Sequence, residues 1–384
     1  MPIIRLLDSE VKISRHEGVI ATITIFKGLA PIDKLQKRMQ AILDANPWVG
    51  ARLISDRSDE LAFTVPEVID STVPYFEVFD ITKIMGSGCR IENLREMIHH
   101  DPDEDIVNKL YISSVDECID QDKQLVKFSL IEDVNNNEFA IIFSMNHLVG
   151  DGTSYYQLLN MLSFDEEVES FEFERKLKFS RSKLDMGEKK CDIERHSFFK
   201  IINLAEVKRI KEDINKNLKQ GWVSTHDVIN SIYFSLVKPD LAIFPVNARP
   251  HLSYLNKNDV GNYIPVLTIN SEGVLTAENI RESINKFIES PEDKDACTSI
   301  VGNPQARETK AALTSWVQSF KQLTFDEHCS FTVHHPLLPS FLIGDAMGDI
   351  DHGAVLFCLN DSTWALVGMS THQEWLKDNV LFAN

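Results

Sequence analysis

What most constrains this chain is an apolar run, "NEFAIIFSMNH" (137 to 147), that ends in the glycine-broken polar stretch "HLVGDG" (147 to 152) and gives way to "TSYYQLLNMLS". A short run rich in Ile and Phe and bounded by turn residues reads as a buried strand. A second such run, "LVKFSLIED" (125 to 133), precedes it across "VNNN", so the two read as a hairpin. Beyond Gly152 the spacing of Leu158, Leu159 and Leu162 predicts a helix, with Thr153 or Ser154 near its N-cap. A cluster of Asn, His and Asp is thereby confined to a strand-to-helix loop, where function concentrates.

Strands and helices alternate through the rest of the chain. "GVIATITIFK" (18 to 27) reads as a strand, and "IDKLQKRMQAILDANP" as a helix with Leu35, Met39, Ile42 and Leu43 on one face, ended by Pro47. From about 164 to 195 the sequence turns charged and loses apolar periodicity, as a linker does. Beyond it come "LAEVKRIKEDINKNL" and "VSTHDVINSIYFSLV" as helices, the second opened by Ser224 three residues before Asp227. "LAIFPVNARP" then reads as a strand and "TAENIRESINKFIES" as a surface helix. The pattern argues for two α/β or α+β lobes of mixed sheets, at 1–170 and 196–384, with a linker at 171–195.

Composition narrows the partners. A net charge of -19 over 384 residues disfavours nucleic acid and anionic lipid, so an anionic ligand must meet a local basic patch. The six cysteines are widely spaced with no CxxC, and read as reduced thiols rather than a metal or disulfide framework. No signal-peptide core and no run of ~18 apolar residues is present, which makes a cytoplasmic location and no membrane span the expectation.

His147, at the end of the strand, can serve as a general base, since imidazole both accepts and returns a proton near neutral pH. Asp151 could orient the ring or hold the loop. The alternative is a buried histidine satisfied by its neighbours, with Asp151 a turn residue. A His–Asp metal pair would need a helix that Gly150 and Gly152 disfavour, and no metal is expected. Neither a GxSxG elbow nor a phosphate-cradling GxxxxGK[ST] or GxGxxG pattern occurs. "MGSGCR" (85 to 90) reads as a plain loop, and the paired histidines of "MIHHDPDED" and "TVHHP" as exposed polar surface.

"HLVGDG" resembles the HxxxDG signature of acyltransferases with the chloramphenicol acetyltransferase-like fold, which include condensation domains and the BAHD acyltransferases. Condensation domains carry a second His where this chain has Asn146, so the resemblance leans to the BAHD side. "VSTHDVINSIYF" is similar to the BAHD VST-x-DVL helix, "VNARPHLSYLNKNDVGNY" to its R-x-x-x-P followed by GN-aromatic, "ALTSWVQSF" to its LTSW segment and "ILDANPWVGARL" to its N-terminal hP-x-L-x-(G/A)R stretch. These matches follow the family's order along most of the chain. The BAHD DFGWG motif is absent, and "LIGDAMGD" (342 to 349) shares only its spacing and a glycine.

The resemblance implies two lobes with a central channel, acyl-CoA as co-substrate with no tightly bound cofactor, and a small-molecule alcohol or amine as acceptor, in a monomeric enzyme of specialised metabolism. It implies His147 as general base, Trp316 as donor to the oxyanion with Thr314 beside it, and Asp151 paired with Arg249 beside Gly152 as support for the catalytic loop. Ser224 and Thr225 are the implied CoA contacts. "ERKLKFSRSK" (174 to 183), or Lys208, Arg209 and Lys211, would meet its phosphates. Two rivals stay open: a condensation-like domain using carrier-bound acyl groups, and an inactive binding protein of the same fold.

Overall fold

The computed structural model describes residues 2–13, 18–55, 60–70, 73–100, 103–179, 194–270, 275–290, 309–337, 350–377 and 379–383. The hairpin at its centre is β6 (Val126–Asp133) and β7 (Glu138–Asn146), turned through Asn137 in the left-handed conformation. With β2 (Val19–Gly28), β5 (Phe76–Asp80) and β12 (Cys329–Pro336) it forms a five-stranded sheet in the order β12-β2-β7-β6-β5, antiparallel except where β5 meets β6.

β7 is buried almost end to end because both faces of the sheet are covered. Phe139, Ile141, Phe143 and Met145 join Leu158 and Leu159 of α7 (Gly152–Asn160) and Leu35, Met39 and Ile42 of α2 (Ile32–Ala45) in the largest core. Ala140 and Ile142, pointing the other way, meet α4 (Ile91–His100) and α5 (Glu104–Leu110) through Ile91, Leu94 and Leu110. Short helices α1 (Asp8–Ile13), α3 (Ile81–Met85) and α6 (Val115–Cys118) and a small sheet of β1 (Ile3–Arg5), β4 (Leu61–Thr64) and β3 (Arg52–Ser55) complete this half.

The second half is built on a six-stranded sheet, β10 (Val266–Asn270), β9 (Leu241–Pro245), β11 (Lys310–Ser315), β13 (His352–Asn360), β14 (Thr363–Ser370) and β8 (His196–Ile201) in that order. α9 (Thr225–Val237) and α10 (Ala277–Glu289) bury Val228, Ile229, Phe234, Ile280 and Phe287 against Leu267, Leu313 and Leu356 of this sheet, and α8 (Leu204–Asn217) adds Val207. α9 starts where the sequence marks it: Ser224 Oγ accepts from Asp227 N at 3.1 Å and Asp227 Oδ2 from Ser224 N at 2.6 Å, a reciprocal capping box. One strand changes halves, since β12, from the C-terminal part of the chain, is the edge of the N-terminal sheet against β2.

That strand overturns one expectation. The histidines of "TVHHP" are interior, His334 at 0% and His335 at 6% exposure. His334 lies opposite Thr24 in the β12–β2 register, its Nδ1 2.9 Å from Thr24 Oγ1 and its Nε2 3.1 Å from Tyr156 Oη, with Phe320 stacked on the ring. Polar partners and an aromatic lid make burial tolerable for a neutral imidazole. For "MIHHDPDED", residues 101 and 102 and the side chains of His99 and His100 are outside the described residues, as are residues 342 to 349. Among the described residues the cysteines Cys89, Cys118, Cys329 and Cys358 are free thiols, and no helix is long and apolar enough to cross a membrane.

Burial pushes His334 down to about 3, with His335 adding to the shift, and pushes His352 down to about 4, with His372 adding and Asp351 opposing. Once unfolded, both rings titrate near ~6.5, so below that value the unfolded chain binds more protons and stability falls with falling pH. At about pH 5 the loss is about 2 kcal/mol per ring, against ~5–15 kcal/mol for a typical protein. Burial pushes His226 down to about 4 as well, so urea midpoints compared at roughly pH 7.5 and pH 5 should show the drop from three rings, and His334→Gln should shrink it by about a third; a midpoint insensitive to pH would contradict the buried neutral rings.

Candidate active site

The loop between β7 and α7 is shaped first by its own side chains. Asn146, fully buried, accepts from Leu148 N through Oδ1 at 3.0 Å and closes the turn that carries His147. Asp151, rather than Thr153 or Ser154, is the N-cap of α7, its Oδ1 accepting from Ser154 N at 3.0 Å. Gly150 and Gly152 are there for space and not for a left-handed bend. A Cβ at 150 would fall 2.6 Å from Ser154 Cβ, and one at 152 would fall 2.9 Å from Trp316 Nε1. The indole of Trp316 therefore lies directly on the start of α7.

Asp151 and Arg249, 98 positions apart, meet as a two-pronged ion pair: Nη1 to Oδ2 at 2.8 Å and Nη2 to Oδ1 at 3.2 Å. Both side chains are buried, at 0% and 2% exposure. Tyr263 N also donates to Asp151 Oδ2 at 3.1 Å, while Arg249 reaches Asp259 O, Gly261 O, Ser154 Oγ and Asn247 Oδ1. Every oxygen and every donor face of the pair is thereby engaged, the condition under which a buried ion pair offsets its desolvation. The pair clamps the His147 loop to the 259–263 segment of the second half.

His147 is half-buried. Its Nδ1 stands 3.0 Å from Asn262 Oδ1, and Asn262 Nδ2 donates to His147 O at 2.8 Å and to Glu10 Oε1 at 3.1 Å. Because both of these oxygens can only accept, the Asn262 amide nitrogen is assigned to their side and Oδ1 faces the ring. Neutral His147 then carries its proton on Nδ1 and its lone pair on Nε2, the form a general base requires. Asn262 belongs to the GN-aromatic stretch of the sequence, but no role for it was legible there, because the role depends on a neighbour from the far N-terminus.

Within the charged run 174–183, Lys178 is exposed while Arg175 is committed to the interior. Arg175 is 5% exposed; its Nε donates to Glu10 Oε2 at 3.0 Å and its terminal nitrogens to the carbonyls of Leu148, Val149, Phe173 and Val260. Its guanidinium lies over the Phe173 ring at 4.6 Å. A guanidinium with five donors can bind four carbonyls and a carboxylate at once, so it ties the HLVG loop to residues 173 and 260. Residues 180 to 183 lie outside the described residues. Lys208 and Arg209 face Glu212 and Glu206 on the surface of α8.

A cavity of about 980 Å³ opens between the two halves. Thr153, Gln157 and Glu169 line it from the first half, and Lys211, Ser224, Thr225, His226 and Ser315 from the second. Ser224 and Thr225 thus lie together at the start of α9 with Lys211, whose Nζ donates to Thr225 Oγ1 at 3.1 Å. His147 is not among the lining residues, whereas Thr153, six positions on, is. The loop and the first turn of α7 carry the imidazole at one end and the cavity wall at the other. Thr314 and Ser315 alternate on β11, so Thr314 is on the face away from the cavity-lining Ser315. Trp316, 9% exposed, packs edge-on against Tyr156, and its Nε1 meets no acceptor among the described residues. Burial pushes the thiols of Cys118 and Cys358 up to about 11, so neither is a thiolate at neutral pH.

No protein-family profile and no curated protein sequence matches this chain. Solved structures match its fold over nearly the whole length. Polyketide synthase associated protein 5 from Mycobacterium tuberculosis superposes with a TM-score of 0.66 at 10% identity, covering 98% of this chain and 95% of the other. TRI101 of F. sporotrichioides, complexed with Coenzyme A and T-2, gives 0.64 at 14% identity over 97% and 96%. The first condensation domain of the calcium-dependent antibiotic synthetase, in complex with a substrate analogue, gives 0.64 at 10% over 96% and 91%. The chain thus has the two-lobed, mixed α/β, chloramphenicol acetyltransferase-like fold of these acyltransferase and condensation structures.

Asp151→Asn and Arg249→Met should each cost about 3–5 kcal/mol, since each leaves a buried group unpaired. The double variant should lose clearly less than the sum, because removing both partners leaves no orphan charge. Urea unfolding of the three variants measures this; additive losses would show that the pair does not act as a unit.

Proposed function

We propose that this protein transfers an acyl group from an acyl-CoA thioester to a hydroxyl or amine of a small-molecule acceptor, with His147 as general base and no covalent acyl-enzyme. The observation that carries the reading is the 3.0 Å contact of His147 Nδ1 with Asn262 Oδ1, which assigns the ring proton to Nδ1 and leaves Nε2 to accept. The fold supports it, since a structure of TRI101, which shares the fold, was solved with Coenzyme A. In this reading the lobes are 1–170 and 196–384 with 171–195 between them, the cavity takes the CoA, and Ser224, Thr225 and Lys211 line its path.

Protons and bonds balance in a single addition and collapse. Nε2 takes the acceptor's proton as its oxygen or nitrogen attacks the thioester carbonyl; the tetrahedral oxyanion collapses, the C–S bond breaks, and the imidazolium returns the proton to the CoA sulfur. Trp316 Nε1, seated on Gly152, is the donor we assign to the oxyanion. Holding both substrates on one imidazole removes the entropy cost of a bimolecular encounter. A condensation-like reaction on carrier-bound acyl groups is favoured by the likeness to condensation domains. Against it, Asn146 occupies the place of the first His and its side-chain oxygen is committed to the turn.

Thiol release from a panel of short, aromatic and long acyl-CoAs, offered mixed alcohols and amines, tests the reading; turnover only with carrier-bound acyl groups would replace it with the condensation reaction. His147→Ala should lower kcat by about 10² to 10⁴ with the fold intact by circular dichroism. Full activity in that variant would remove His147 from the chemistry. Trp316→Phe keeps a ring on Gly152 but deletes the donor, and should cost about 3 kcal/mol in kcat/KM; an unchanged value would leave Trp316 a packing residue.

A further inference from the structure

Glu10 is a fully buried carboxylate from α1 at the far N-terminus, and its four contacts leave neither oxygen idle. Oε2 accepts from Leu7 N at 2.9 Å and Arg175 Nε at 3.0 Å, and Oε1 from Asn262 N at 3.0 Å and Asn262 Nδ2 at 3.1 Å. Burying a carboxylate is costly, and a chain concerned only with packing would place an apolar residue here. What the charge accomplishes is orientational. A carboxylate offers Asn262 no hydrogen to accept, so together with the His147 carbonyl it excludes the amide orientation that would turn Nδ2 toward the His147 ring. We infer that Glu10 is a positioning residue for the proposed base: through the Asn262 amide, 252 positions away, it selects the Nδ1–H tautomer of His147. Arg175 completes the device by donating to Glu10 Oε2 and by binding the carbonyls of Leu148 and Val149 next to the histidine. The inference rests on the acyl-transfer reading for its consequence in catalysis, but not for the tautomer itself.

The chemistry predicts what an isosteric neutral replacement does. In Glu10→Gln the introduced amide oxygen takes the side facing the Leu7 and Arg175 donors, and the introduced amide nitrogen turns toward Asn262. Only the His147 carbonyl then holds the Asn262 nitrogen in its wild-type place, so the Nδ1–H form loses one of its two constraints and the proton of the neutral ring shifts toward Nε2. Free histidine already favours that form, so removing the constraint also moves the ring the same way. In that form the ring stays in place but has no lone pair where the acceptor arrives.

The test is ¹⁵N NMR of histidine-labelled protein, without substrate, at a pH where the rings are neutral. His147 is assigned among the 12 histidines by the signal lost in His147→Gln. Wild type should show protonated Nδ1 and unprotonated Nε2, and Glu10→Gln a shift toward the reverse, while kcat falls at least about tenfold, toward the ~10²–10⁴ of a lost base, with KM for acyl-CoA within about twofold. A wild-type ring protonated on Nε2 overturns the inference whether or not any variant folds, as does a Glu10→Gln protein that keeps the wild-type tautomer. If wild type has the Nδ1–H form and Glu10→Gln shifts it, yet no acyl-CoA is turned over, the positioning role stands and the acyl-transfer reading falls.

Discussion

The contact between Asp151 and Arg249 is the one on which the rest of this architecture depends. Two opposite charges taken out of water gain nothing by proximity alone; they are worth keeping only where every lone pair and N–H finds a partner. Here the partners are the first turn of α7, the backbone of residues 259 to 263 and the hydroxyl of Ser154. Satisfying the ions therefore means bringing the end of a strand in one half against a loop of the other. The position of His147 relative to Asn262 is a by-product of that requirement, because both sit within a few residues of the clamp.

A second buried cation does similar work with different chemistry. Arg175 meets one carboxylate and four carbonyls, so four of its five contacts are to backbone dipoles. Between them, the two guanidiniums hold the HLVGD segment, Arg175 at the carbonyls of Leu148 and Val149 and Arg249 at the Asp151 carboxylate. A loop held this way can fix the side chain of the proposed base without being regular secondary structure, which is how a rigid scaffold supports function on an irregular segment.

Much of this was legible in the sequence where the signal is local. The β6–β7 hairpin, α2 with its stop at Pro47, and the Ser224–Asp227 capping box are each written in a short contiguous stretch, and periodicity or turn chemistry carries them. The Asp151–Arg249 pairing was accessible because a resemblance joined two distant motifs. What escaped has a common physical cause: dependence on partners far along the chain. His334 reads as surface until β12 is laid against β2, a pairing with no sequence mark. Glu10 sits in a short helix and looks like any first-turn acid, since its value lies in Asn262 and Arg175. Arg175, in the middle of a charged run, looks solvated for the same reason.

The exchange of β12 into the N-terminal sheet has a consequence for how the protein comes into being. Thr24 and His334 are neighbours in that sheet at a separation of 310 positions. While the ribosome is still making the second half, β2 presents an unpaired edge of backbone donors and acceptors beside an apolar core, the arrangement most prone to pair with the wrong strand. Neither half can finish alone, so the N-terminal sheet waits, open, for most of synthesis. Two lobes that look separable in space are one unit in folding time, and roughly the last tenth of the chain must arrive soon after β12 for the second sheet to close over β13 and β14.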